Sequence, residues 1–370
     1  MTAPPTDLSA AFAHALSGDF ARLRGGNWTP SELLAVVEDL GIGPLLWELR
    51  PGDVAGTPDA NSVLEARVRG AATRDIFVQR EMRTVLDALA ASGVTALVIK
   101  GSALAYTVYP KPWLRPRTDT DLLIPHEHVA AATRALEGCG YTRCDAISTG
   151  DFVSHQVAFE RTDSHGAYHV IDLHWKIANP HVVADALPFE LLWRDAQAAP
   201  ALGTGARVPS VVGSMLLACI HRLAHHQGHD RLIWLYDLKL LSMALPAEGW
   251  ADLRRLAIER GVAGLCLDGL QQAKMRLGAS LPAEVEAALI ASAPHEPSQM
   301  YLAGPVRKRD VLVSDLTALN TWRARVQLVR EHLVPAPAFM RKRYGTTARW
   351  LLPALYLHRV VTGAYRWVRH

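Results

Sequence analysis

Residues 94–125 read VTALVIKGSALAYTVYPKPWLRPRTDTDLLIP. The apolar run at 94–99 predicts a buried strand, and Lys100-Gly101-Ser102 breaks it. A proline-rich loop follows, after which Asp119-Thr120-Asp121 runs directly into Leu122-Leu123-Ile124. Side chains alternate faces along a strand, so Asp119 and Asp121 share one face while Thr120 and Leu122 share the other. Two carboxylates held a few ångströms apart raise each other's pKa. A divalent cation relieves that repulsion, and Mg²⁺ favours one or two carboxylates together with substrate phosphates. The alternative for this pair is a turn in which the aspartates cap backbone amides.

Farther along, residues 153–159 and 168–175 predict two strands joined by the turn Asp163-Ser164-His165-Gly166. In the second strand His169, Ile171, Leu173 and Trp175 share one face, which is expected to be core. Tyr168, Val170, Asp172 and His174 share the other, so Asp172 and His174 turn to one side together. Asp172 is thus a third candidate carboxylate, against the alternative of an ordinary aspartate at a strand edge. His174 is a candidate for orienting a phosphate or a substrate hydroxyl, or a half-buried histidine with a backbone partner.

A strand, then Gly-Ser, then Asp-x-Asp ahead of apolar residues resembles the nucleotidyltransferase superfamily of the DNA polymerase β type. KGSALAYTVYP, RPRTDTDLLI, IDLHW and the later RLIWLYDL resemble, more closely, the bacterial uncharacterised nucleotidyltransferase family built on that fold, over roughly residues 30–365. Sixteen residues separate Ser102 from Asp119, more than the superfamily's usual gap.

The resemblance implies an α+β fold. A polymerase-β-like core with a mixed sheet would be flanked by N-terminal helices and a C-terminal helical domain. The boundaries expected are 1–92 for the N-terminal helices, 93–205 for the catalytic core, 206–300 for the helical domain and 301–370 for a basic helical region. It also implies Mg²⁺ (or Mn²⁺) held by Asp119, Asp121 and Asp172, with Asp172 able to act as general base. The substrate would be a nucleoside triphosphate, ATP foremost. Its nucleoside monophosphate would pass to a hydroxyl or phosphate on a small molecule, peptide or protein. Members of the family occur beside peptide natural-product and polysaccharide genes, which suggests a peptide or sugar phosphate as acceptor.

Other residues near the carboxylates suit phosphate. Gly101 lets backbone approach a phosphate, and Ser102 offers a hydroxyl donor. Lys100, Arg115, Arg117 and Lys176 can offset triphosphate charge, arginine through its two-pronged fork and lysine as a point charge. Arg117 has the alternative of pairing with an aspartate. In HRLAHHQGHDRLIWLYDL, His221, His225 and His229 recur at helical spacing, which two zinc ligands could use. The resemblance implies instead a helix beside the active site, where His225, His229 and Asp237 touch nucleotide or acceptor, or fix interhelical contacts.

Composition bounds the rest. The chain has 370 residues, 49% of them hydrophobic, enough for two or three packed units. No apolar run approaches the roughly 20 residues that span a bilayer, and no basic segment precedes an apolar one at the start. The cysteines, Cys139, Cys144, Cys219 and Cys266, match no zinc pattern and suit reduced thiols in the cytoplasm. Net charge is +3 overall, but residues 301–370 carry thirteen Lys/Arg against Asp310, Asp315 and Glu331. That asymmetry, with Trp350, Tyr356, Tyr365 and Trp367, raises a nucleic-acid partner as an alternative to a solvated helical face. A non-catalytic NTP-binding or adaptor protein on the same scaffold is the other alternative.

Helices are expected elsewhere. Thr29-Pro30 starts one that ends at Gly41, and a long one runs over 62–92 with Ile76, Val78, Met82, Val85, Leu86 and Leu89 inward. Further helices are expected over 127–137, 211–226, 231–243 and 250–277, and in the tail over 340–368.

Overall fold

The computed structural model describes residues 6–50, 52, 58–144, 152–224, 231–302 and 307–369. Its centre is a five-stranded mixed sheet. The strands are β1 (Leu97–Ile99), β2 (Thr120–Leu123), β3 (Thr142–Arg143), β4 (Gln156–Thr162) and β5 (Tyr168–His174), in the order β1-β2-β5-β4-β3. β2 and β5 run parallel, and the other neighbours are antiparallel. The architecture is the α+β one expected.

Local chemistry explains the connections. The β4–β5 hairpin closes where Asp163 Oδ1 accepts from the amides of His165 and Ala167, and Gly166 takes φ +76°. A left-handed backbone of that kind costs glycine nothing. A short two-stranded ribbon, β6 (Gln197–Ala198) with β7 (Arg207–Val208), was not anticipated from the sequence.

Alternation along the strands divides the core. Val98, Leu122, Ile171 and Leu173 face a cluster with Met82, Val85 and Leu89 of the helix Pro58–Ala91 and with Ala132 and Leu136 of the helix Val129–Gly138. Leu97, Ile99 and Leu123 face the opposite cluster, which contains the N-terminal helices and the helices after residue 210. The carboxylates of β2 and β5 lie on this second side.

The helix Pro30–Leu40 begins with a complete capping box between Thr29 and Glu32 and ends at Gly41, φ +70°. In the helix Pro58–Ala91 one inward assignment is corrected: Ile76 is 67% exposed. At about 100° per residue it lies half a turn away from Val85, whereas Asp75 falls in line with Met82. Asp75 is the buried one. The region expected as one helix over 250–277 is two, Ala247–Glu259 and Ala263–Leu277, parted at Gly261 with φ +66°. The basic tail is tied back by its few acids. Glu331 accepts from the amides of Phe152 and Val153, and Asp315 accepts from the amide of His181.

Candidate active site

The register of the sheet places the carboxylates. Asp121 on β2 is the direct neighbour of Asp172 on the parallel β5, and Leu123 is the neighbour of His174. On the other side Ile99, the last residue of β1, pairs with Asp121, so Lys100 emerges beside it. Lys100 has φ +55°, the one positive φ at a non-glycine residue among the described residues. That bend starts the helix Lys100–Thr107 and turns the lysine side chain back over β2.

Lys100 Nζ lies 2.6 Å from Asp121 Oδ1 and 3.4 Å from His174 Nε2, and that same Nε2 lies 2.8 Å from Asp121 Oδ1. One ligand atom each from Asp121, Asp172 and His174 fall within 4.8 Å of one another. Burial works to raise the Asp121 carboxyl, but the Lys100 ammonium and the His174 contact outweigh it and hold the group well below the usual carboxylate range. Asp119 and Asp172 have no such partner among the described residues. Burial, helped by the Asp121 charge, raises Asp119. Burial, with the charges of Asp121 and Asp119, pushes Asp172 up to about 6. Burial, then the Lys100 charge, lowers His174. The donor set of carboxylates and imidazole, with an ammonium already seated between two of the donors, fits a divalent cation.

These groups open on a cavity of about 580 Å³, a size that takes a nucleotide-sized ligand. Lys100, Gly101, Asp119, Asp121 and Asp172 line one part of it. The structure brings Arg115, Arg117 and Asp237 to the same cavity, each already engaged. Arg115 Nε and Nη2 donate to both oxygens of Asp237 at 2.8–3.0 Å, and Tyr109 Oη donates to Asp237 Oδ1 at 2.7 Å. Burial opposes the Arg115 charge, but Asp237 more than compensates and raises its pKa. Arg117 Nη2 donates to Asp75, with Tyr106 Oη donating to the same carboxylate oxygen at 2.9 Å. Its acidic partner is therefore neither Asp119 nor Asp121. A Cβ on Gly101 would stand 3.4 Å from the Arg115 guanidinium, so glycine lets that arginine lie against the backbone.

Uncharacterised nucleotidyltransferases are the family whose profile matches residues 27–278. The chain belongs to that family. No curated protein matches the chain. The family makes this a transferase fold of the nucleotidyl-transferring kind, and its carboxylates sit where a metal can be held.

Two of the expected site residues, Ser102 and Lys176, have other partners. Ser102 is buried, with its hydroxyl 3.2 Å from the Thr120 hydroxyl and 3.4 Å from the Asp119 carbonyl, so it braces the start of β2. Lys176 pairs with Asp185 at 2.8 Å and does not line the cavity, because β5 ends at His174 and the alternation stops there. His174 is fully buried; it does not line the cavity itself but meets Asp121 within the carboxylate cluster. His225 and His229 lie outside the described residues. Other lining residues are ones the motifs did not single out. Glu38 and Arg67 belong to the N-terminal helices and Gly41 caps one of them, and Arg231 and Trp234 precede Asp237 at helical spacing. The last two belong to the quoted RLIWLYDL, so a signal for them was present in the sequence. No helix among the described residues is long and apolar enough to cross a membrane.

Proposed function

We propose that this protein transfers a nucleoside monophosphate from a nucleoside triphosphate, ATP foremost, to a hydroxyl or phosphate on a small molecule, peptide or protein. The observation that carries the reading is the side-by-side placement of Asp121 and Asp172, with Asp119 on the same cavity. Three aspartates meet there with one ammonium beside them, which leaves negative charge for a divalent ion to satisfy.

The roles follow from position. Asp119, Asp121 and Asp172 would hold the divalent ion, Mg²⁺ or Mn²⁺, which when bound offsets the charge that develops as pyrophosphate leaves. The backbone at Gly101, the first turn of the helix Lys100–Thr107, offers amides to a phosphate. Arg115 and Arg117, fixed by Asp237 and Asp75, present rigid cationic edges rather than mobile ones. Asp172 lines the same cavity, where its carboxylate can take a proton from a hydroxyl brought there. The acceptor oxygen forms its bond to the α-phosphorus, the α–β bridging P–O bond breaks, and the acceptor proton passes to Asp172. A peptide or sugar phosphate is the acceptor class favoured.

Calorimetric titration of the purified chain with each NTP, in Mg²⁺ or Mn²⁺, tests the first half of the reading. Labelled NTP with candidate acceptors tests the second. Saturable NTP binding that needs the divalent ion is expected; folded protein that binds no NTP overturns the proposal.

A further inference from the structure

We infer that His174 is itself a ligand of the cation at this site, and that the site therefore selects a first-row transition ion of the Mn²⁺ type over Mg²⁺. The inference rests on the nucleotidyl-transfer reading only for the presence of a divalent ion.

The cluster whose ligand atoms converge within 4.8 Å is Asp121, Asp172 and His174. Asp119 is not a member of it, although it is the partner that the Asp-x-Asp spacing suggests. The reason lies in the sheet. Asp121 and Asp172 are cross-strand neighbours, and His174 is the next residue of β5 on the same face. An imidazole nitrogen is thus built into the convergence point by strand register.

The Lys100 ammonium marks that point. It lies 2.6 Å from Asp121 Oδ1 and 3.4 Å from His174 Nε2. Nε2 also lies 2.8 Å from Asp121 Oδ1, so in the metal-free protein it faces a ligand carboxylate and the ammonium at once. The His174 ring is further bonded to the backbone of Lys176. Imidazoles that bind metals are held in this way, one nitrogen anchored to a backbone or carboxylate oxygen and the other aimed at the ion. The competing role is a purely orienting one, in which Nε2–H donates to Asp121. In that case the proton occupies the nitrogen that a metal would need.

The donor set then decides the ion. Mg²⁺ favours oxygen donors and keeps several waters. Replacing one oxygen by an imidazole nitrogen favours Mn²⁺ and the ions after it in the transition series. Lys100 must release Asp121 for such an ion to enter.

The test uses the full chain with Mn²⁺ alone and Mg²⁺ alone, titrated by calorimetry, and pulsed electron paramagnetic resonance of the Mn²⁺ complex. Expected are tighter binding of Mn²⁺ than Mg²⁺ by about tenfold or more, and ¹⁴N coupling to the bound Mn²⁺. His174→Ala should abolish the coupling and lower Mn²⁺ affinity by about 10- to 100-fold, with a much smaller change for Mg²⁺. If His174→Ala does not fold, the native chain carrying ¹⁵N-histidine answers the same question, because the coupling must change isotope. Mn²⁺ bound without nitrogen coupling, or an unchanged Mn²⁺/Mg²⁺ ratio in His174→Ala, overturns the inference, as does binding of neither ion. An oxygen-only Mn²⁺ site that still supports NTP binding removes His174 as ligand and leaves the transfer reading standing. A nitrogen-coordinated ion in a protein that binds no NTP does the reverse.

Discussion

The Lys100 ammonium lies 2.6 Å from Asp121 Oδ1, with about a tenth of each side chain exposed. Each ion of such a pair is tolerated in the interior only because the other is there. Lys100→Met should therefore destabilise the metal-free protein by about 3–5 kcal/mol, the scale for leaving one buried charge without its partner. A divalent ion offers Asp121 another positive charge, so saturating Mn²⁺ should restore much of the loss. Urea unfolding with chelator and with Mn²⁺ measures both. Equal destabilisation in the two conditions would show that Lys100 acts through packing alone.

Asp119, Asp121 and Asp172 should separate in their effects. Asp121→Asn and Asp119→Asn should weaken NTP binding in the presence of the ion as well as turnover. Asp172→Asn should weaken NTP affinity less than either of these and slow transfer by roughly 10²- to 10⁴-fold, the usual scale for losing acid–base catalysis. The defect should shrink as pH rises, since a more ionised acceptor hydroxyl needs a base less. Single-turnover rates and NTP affinities across pH decide the matter. Equal loss of NTP binding in all three variants would make Asp172 a holder of the ion first.

Asp237 holds Arg115 with two-pronged geometry and also accepts from Tyr109. All three groups are buried. Asp237→Ala should cost about 3–5 kcal/mol by stranding the guanidinium. Tyr109→Phe should cost about 1–3 kcal/mol, since it leaves Asp237 one donor short in a buried setting. The double variant should fall short of the sum, because without Asp237 the tyrosine has nothing left to donate to. Chemical denaturation of the four proteins gives the coupling, and strict additivity would refute it.

The sequence carried the parts of this site that lie on one strand. Asp119 and Asp121, and Asp172 with His174, follow from a two-residue period, and the turn at Asp163 to Gly166 follows from its residue types. Partners that meet across the fold were not legible. Arg117 finds Asp75 and Arg115 finds Asp237, 42 and 122 positions away, and no local pattern links such residues. Helical phase does point to Asp75, because it repeats with Met82 two turns on, whereas Ile76 is apolar but out of phase and exposed. Lys176 is near the carboxylates in sequence but pairs with Asp185, since nearness along the chain does not fix where a side chain past the end of β5 points. Ser102 misled because the Lys100 bend turns its hydroxyl under the helix toward Thr120. The N-terminal wall at Glu38 and Arg67 depends on how helices pack, which a single sequence does not encode locally.

Asp172 also gives a prediction about stability without any substrate. Burial, with the Asp121 and Asp119 charges, raises its carboxyl to about 6, above the ordinary value of 3.8. The native state therefore holds a proton there more tightly than the unfolded chain does. Linkage fixes the sign: the benefit of the protonated group is fully present below the unfolded value and is lost as pH rises through the folded one. Between about pH 4 and pH 6 the metal-free protein should lose stability from this group, and above pH 6 it should bear the full cost of an ionised, half-buried carboxylate. Asp172→Asn removes the ionisation. It should melt close to the parent protein at pH 4.5 and above it at pH 7.5, with chelator present in both. Adding Mn²⁺ at pH 7.5 should reverse the order, because the parent gains a bound ion that the variant holds less well. Thermal melts at the two pH values, with and without the ion, test each step. A variant whose melting temperature tracks the parent at both pH values in chelator would mean that Asp172 is ionised without penalty, and that the cavity is wetter than its burial indicates.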